Sequence, residues 1–171
     1  DKGLVNLSLY PFQKKAVTTI TTHREVIIKA GRQVGKTTMT VGVLLWYILF
    51  NEAKTVAILA NKAKTAREIL NRLKIAYAEV PKWMQQGVME WNKGYISLEN
   101  NSRVLADSTA STAIRGWSIN FLYLDEFAFV PNNIADDFFT SVYPTITSGS
   151  TAQILVSSTP NGMNHFYKMW T

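Results

Sequence analysis

The 171-residue sequence contains no cysteine, so disulfides and thiolate metal sites are both excluded. Its longest apolar stretch, Val41 to Phe50, is about half the length a helix needs to cross a bilayer. No basic segment followed by an apolar core opens the chain, so the pattern of a secretory signal is missing. Acidic residues are scarce, 12 against 18 Lys and Arg, and none follows Asp137. The resulting charge of +6 is compatible with a nucleic-acid partner without demonstrating one. No repeat, linker or low-complexity segment interrupts the chain, and 47% of it is hydrophobic. These features predict one soluble, intracellular domain spanning residues 1–171 with a core of its own.

The most informative segment joins a short apolar run, Val26-Ile27-Ile28, to Ala30-Gly31-Arg32-Gln33-Val34-Gly35-Lys36-Thr37-Thr38 and then to a helix-compatible stretch. A glycine-containing turn between a strand and a helix, ending in Gly-Lys-Thr, is a phosphate-binding loop. Its backbone N–H groups and the helix dipole face a polyphosphate, Lys36 reaches the outer phosphates, and Thr37 offers its hydroxyl to Mg2+. Gly31, Gln33, Gly35 and Thr38 complete the predicted ATP-binding turn. Ala30 stands where the motif usually begins with glycine, and Gly31 is expected to supply the backbone freedom instead.

A second half-site is expected at the end of Phe121-Leu122-Tyr123-Leu124, a run apolar enough to be a strand buried on both faces. It leads into Asp125-Glu126, and two adjacent carboxylates there are costly unless something positive meets them. Asp125 is assigned to Mg2+ through a bridging water, and Glu126 to orienting and deprotonating the attacking water. A glutamate in that place favours hydrolysis over phosphoryl transfer to a small molecule. The competing reading is a strand end that merely caps the next segment.

Strands are predicted at 26–29, 55–60, 95–98, 103–106, 121–124 and 152–157, and helices at 11–21, 36–50, 63–79, 133–142 and 164–170. Strands 95–98 and 103–106 read as a hairpin through Asn100-Asn101. Helix 36–50 is apolar nearly all round, Trp46 included, and is expected to be buried. The fold class is α/β, a P-loop NTPase with a mainly parallel sheet, helices on both faces, and an additional strand and catalytic glutamate of the ASCE type. The nucleotide is expected at the carboxyl ends of the strands. Lys64, Arg67, Asn71 and Lys74 form a basic stripe on helix 63–79, read either as a solvated face or as a contact for DNA phosphates. Asp136-Asp137 reads as a favourable charge pair in a helix's first turn.

Six ordered segments resemble one family: LYPFQ from Leu9 to Gln13, GRQVGKTT from Gly31 to Thr38, EWNKG from Glu90 to Gly94, Ile114-Arg115-Gly116, DEFAFVPN from Asp125 to Asn132, and STPNG from Ser158 to Gly162. Together they are similar to the ATPase domain of large terminase subunits, the DNA-packaging motors of tailed bacteriophages, in the branch of large contractile-tailed phages. The resemblance implies that Gln13 reads adenine, against the alternative of a polar residue in an amphipathic helix. It implies that Arg32 senses the γ-phosphate and that Arg115 acts as an arginine finger toward a neighbouring subunit, each against a surface or structural ion pair. Ser157, Ser158 and Thr159 would couple hydrolysis to DNA movement.

The implied partners are double-stranded DNA bound without sequence preference, the portal protein, the small terminase subunit, and like subunits in a ring, by resemblance a pentamer. No membrane is implied. The implied location is the host cytoplasm, transiently at the procapsid portal and not in the mature virion. Such terminases carry a nuclease after the motor, built on clustered acids; no acid follows Asp137, so that nuclease is expected to be missing, and the chain stops at Thr171 before most of the lid region, so ATP binding with slow hydrolysis and no DNA cleavage is expected. Two other readings stay open: a helicase-like DNA-dependent ATPase, and a nucleotide-binding docking module without turnover.

Overall fold

The computed structural model describes residues 6–171 except 111, 113 and 150. Helix α1 (Pro11–Thr22) starts on a proline, whose missing N–H falls where no intrahelical partner exists. Strand β1 (Glu25–Lys29) runs into the glycine turn, and α2 (Lys36–Phe50) begins directly after Gly35. Next come β2 (Thr55–Ala60), α3 (Ala63–Glu79), β3 (Val88–Trp91), β4 (Tyr95–Leu98), β5 (Arg103–Ser108) and β6 (Phe121–Asp125). The chain continues through α4 (Asn132–Asp137), α5 (Tyr143–Thr147), β7 (Gln153–Ser158) and α6 (His165–Trp170).

The seven strands form one sheet in the order β1-β7-β6-β2-β5-β4-β3. The first five in that order are mutually parallel, and β4 and β3 extend the sheet as antiparallel strands. Strand β7 is thus inserted between the strand before the glycine turn and the strand carrying Asp125. Side chains alternate between two cores. Val56, Ile58, Phe121, Tyr123 and Leu155 join α1, α2 and α3 on one face, while Ala57, Leu59, Leu122, Leu124 and Val156 join the segment 127–146 and Phe166 on the other. Period-two alternation in strands apolar on both sides produces this doubly covered sheet.

Several expectations are corrected. Strand β3 has no counterpart among the predicted strands, because Val88-Met89-Glu90-Trp91 is exposed along its whole length and carries no burial rhythm. Helix 133–142 is not one regular helix: α4 passes into a π-helical turn at Phe138–Val142 and then into α5, which contains Pro144. A wider turn ahead of Pro144 accommodates a ring that would otherwise meet the preceding carbonyls. Helix α2 buries ten of its fifteen residues, but Trp46 is 48% exposed, since α1 and α3 flank the helix without closing over that edge. Asp136 and Asp137 sit at the end of α4 and not in its first turn, and they pair with His165 (2.6 Å) and Arg115 (3.2 Å). The Asn100-Asn101 hairpin is present, with Asn101 in the left-handed region that asparagine tolerates.

Candidate functional site

In the glycine turn the left-handed residues are Gln33 (φ 60°) and Gly35 (φ 75°). The conformational freedom expected of Gly31 is therefore used two and four residues later. At Gly35 a side chain is doubly excluded, since an added Cβ would lie 2.7 Å from Gln13 Nε2. Gln13 is buried, donates from Nε2 to Val34 O (3.1 Å) and accepts at Oε1 from Tyr10 N–H (2.9 Å). Its amide thus ties the start of α1 to the glycine turn.

The turn aims Lys36 inward. Lys36 Nζ lies 2.5 Å from Glu126 Oε1 and donates to Thr159 Oγ1 at 3.3 Å. Glu126 follows β6 in the left-handed region (φ 49°, ψ 42°), a conformation that costs a β-carbon-bearing residue on the order of 1–2 kcal/mol. Its other oxygen accepts from Thr159 N–H (3.2 Å) and Ser158 Oγ (3.4 Å). Burial pushes the Glu126 carboxyl up, but the Lys36 and Thr159 hydrogen bonds outweigh it and hold the group below its ordinary value. Ser158 Oγ also accepts from Ala128 N–H, so the end of β7 grips both sides of the turn after β6. Asn161 and Asn164 donate to Ala128 O and extend the same anchorage.

Asp125 is met differently. It is 5% exposed and faces α2, where Tyr123 OH (2.7 Å) and Ser157 Oγ (3.1 Å) both donate to its Oδ1. Burial raises its carboxyl above the ordinary range in spite of those two donors. The positive partner expected for the carboxylate pair reaches Glu126, while Asp125 rests on hydroxyls. Tyr123 is not among the predicted site residues, although its place two residues before Asp125 on a strand puts both side chains on one face.

Thr37 is half-buried in the first turn of α2, and Gly31, Arg32, Gln33 and Thr38 are exposed along the turn and helix start. Lys36 and Arg32 do not crowd each other, because the lysine folds inward and the arginine stays outside. Arg115 contacts Asp137 Oδ2 and Ser141 Oγ, both at 3.2 Å, on the side of the π-helical turn. Residues 111 and 113 of the loop before it lie outside the described residues. The structure thus places Lys36, Glu126, Ser158 and Thr159 in one hydrogen-bond network, Asp125 and Ser157 with Tyr123 in a second, and Gln13 with Tyr10 and Val34 in a third, and leaves Arg32 and Arg115 outside them.

A strand-turn-helix ending in an inward lysine, opposite a buried acidic strand end across an inserted parallel strand, defines a P-loop NTPase domain. A family model places it further: residues 27–171 match "Terminase large subunit, T4likevirus-type, N-terminal", and the chain belongs to that family. Similar folds occur in the HK97 bacteriophage large terminase (TM-score 0.79, 20% identity, 96% of this chain and 36% of that one). A mutant large terminase ATPase domain of Thermus phage P74-26 is also similar (0.72, 19%, 94% and 69%). So is a large terminase from a thermophilic bacteriophage in complex with ATP-gamma-S (0.69, 17%, 94% and 40%). The chain thus spans less than half of two of these three proteins.

Proposed function

We propose that this domain hydrolyses Mg-ATP to drive double-stranded DNA into a viral procapsid. One observation carries the reading: Lys36, Glu126 and Thr159, remote in sequence, meet at one point at the carboxyl end of the sheet. The triphosphate competes with Glu126 for Lys36, and its arrival frees the carboxylate. Glu126 then takes a proton from water as the water oxygen bonds to the γ-phosphorus, and the bond from that phosphorus to the β-phosphate oxygen breaks to release ADP. Thr37 and Asp125 would hold Mg2+, which when bound neutralises phosphate charge. One hydroxyl and one carboxylate are hard oxygen donors that fit a cation taking its remaining ligands from phosphate and water.

In this reading Gly31, Gln33, Gly35 and Thr38 cradle the phosphates, and Gln13 positions the turn and reads the base once nucleotide reorders its partners. Arg32 reaches the γ-phosphate from the exposed rim. Arg115 serves a neighbouring subunit after exchanging Asp137 for phosphate. Because Glu126 is held by Ser158 and Thr159, its release alters the end of β7, beside Ser157, and through the turn at 160–162 the start of α6.

DNA is assigned to an open groove of about 550 Å3 lined by Lys64, Arg67, Glu68, Asn71, Lys74 and Lys93. Lys74 donates to Asn92 O and lies over the Trp91 ring, and a Cβ at Gly94 would stand 3.7 Å from Arg67 Nε. Helix α3 and the β3–β4 turn therefore form one basic surface with a single acid. It lies on the same rim of the sheet as the nucleotide site, four strand spacings from β1 at β5, roughly 20 Å. Phosphate contacts without base readout suit a motor indifferent to sequence. The portal, the small terminase subunit and a pentameric ring of like subunits complete the proposed motor in the host cytoplasm.

Replacing Glu126→Gln tests the reading. Nucleotide binding is expected to persist while phosphate release falls about 10²- to 10⁴-fold, the range for a lost general base. Hydrolysis at the unmodified rate would overturn it.

A further inference from the structure

Asp125 is held by a buried cluster drawn from three elements. Tyr123 of β6 is wholly buried, and its hydroxyl donates to Asp125 Oδ1 at 2.7 Å. Ser157 of β7 stands directly across the strand pair from Asp125 and donates to the same oxygen at 3.1 Å, with its Oγ 3.0 Å from the phenol oxygen. Thr40 of α2, one turn beyond Thr37, is also wholly buried, and its Oγ1 finds no partner of good hydrogen-bonding geometry. Phenol, hydroxyl and carboxylate thus fill the space between the helix that follows the phosphate loop and the two central strands.

Both donors terminate on one carboxylate oxygen. A phenol and a serine have one proton each, and both hydroxyl oxygens lie within hydrogen-bonding distance of Oδ1. Among the described residues nothing donates to Oδ2. We propose that Tyr123 is the positioning residue of the metal site: with Ser157 it occupies Oδ1, fixes the plane of the Asp125 carboxylate and reserves Oδ2 for the divalent cation.

The physical reason is the environment. A carboxylate 5% exposed has few waters to orient it, so its direction is set by whichever protein donors reach it. Tyr123 is suited to this because its ring packs into the core on the α1–α3 face while its hydroxyl alone reaches the acid. Phenylalanine preserves that packing and deletes the donor. Carboxylate ligands depend on such outer partners for metal affinity, commonly by 10- to 100-fold.

The inference rests on the nucleotide-site reading above and is tested by metal binding instead of turnover. With protein in excess over ATP-γ-S and the nucleotide alone as the blank, the chain, its Tyr123→Phe variant and its Ser157→Ala variant are titrated with Mn2+, and the Mn2+ taken up beyond the blank is read by electron paramagnetic resonance. Tyr123→Phe is expected to raise the Mn2+ dissociation constant by about 10-fold or more, with nucleotide affinity in EDTA unchanged. Ser157→Ala removes the other donor to Oδ1 and is expected to shift Mn2+ binding in the same direction, so it carries the test if the tyrosine variant misfolds. Unchanged Mn2+ affinity in the variants, or an equal loss of nucleotide binding in EDTA, overturns the positioning role alone. An unmodified chain that takes up no Mn2+ with nucleotide overturns the site reading and the inference together.

Discussion

At the scale of single residues, the two adjacent acids titrate in opposite directions because of what each one meets. Glu126 is held below its ordinary value, so its contribution to stability is present above the usual carboxylate range and is lost as pH falls through its folded value. Asp125 is raised, so the folded state loses stability as pH climbs through the ordinary range toward its folded value. Asp125→Asn is therefore expected to raise the melting temperature of the nucleotide-free chain at neutral pH. Glu126→Gln is expected to lower it. The Asp125→Asn difference should shrink as pH falls from the raised folded value into the ordinary carboxylate range, and the Glu126→Gln difference only as pH falls from that range toward the depressed folded value of Glu126; thermal melts across pH would check the pair. The strand-turn-helix that carries Lys36 and Thr37 and the buried strand that ends at Asp125-Glu126 were legible from local patterns. The Lys36–Glu126 contact was not, because it spans 90 positions of sequence.

Among the elements, the glycine turn is the most demanding. Gly35→Ala forces a β-carbon into the left-handed region against Gln13, and a loss of about 1–2 kcal/mol is expected from the backbone alone. Circular dichroism melts with and without ATP would register it, and retained stability together with retained ATP affinity would contradict the account. A second junction lies at the start of β1, where Arg24 donates to Thr147 O, Gly149 O (2.8 Å) and Ala152 O (3.1 Å). It ties the end of α5 and the entry to β7 against β1. Arg24→Ala should cost about 1.5–3 kcal/mol, the range for hydrogen bonds from a charged donor, measured by urea denaturation. The long elements α2, α3 and the buried strands followed from periodicity. Strand β3 and the π-helical turn did not, because an exposed edge strand and a proline-adapted turn leave no regular hydrophobic rhythm.

Over the whole molecule, the strand order separates the nucleotide site from the basic groove while keeping both on one rim. Lys64→Glu combined with Arg67→Glu is expected to weaken binding of random-sequence duplex DNA at least tenfold and to reduce the slope of log affinity against log salt by about 2. Fluorescence anisotropy at several salt concentrations gives both values, and nucleotide affinity of the same variant separates loss of the surface from loss of the fold. An unaltered salt slope would remove the groove from the DNA path. The stripe on α3 was legible from helical spacing. Lys93, which completes the surface, was not, because it reaches α3 only when the β3–β4 turn folds back beside β5.

By itself the sequence determined the phosphate loop, the acidic strand end and the alternation of strands and helices, because each depends on neighbours within a few positions. Tertiary structure alone decided which acid meets Lys36, that Gln13 locks the glycine turn, and that Tyr123 and Ser157 share one oxygen of Asp125. Those outcomes follow from strand order and register, which place β7 between β1 and β6 and set Ser157 opposite Asp125. No local pattern encodes that placement, since it arises only when distant apolar strands choose partners in a common core.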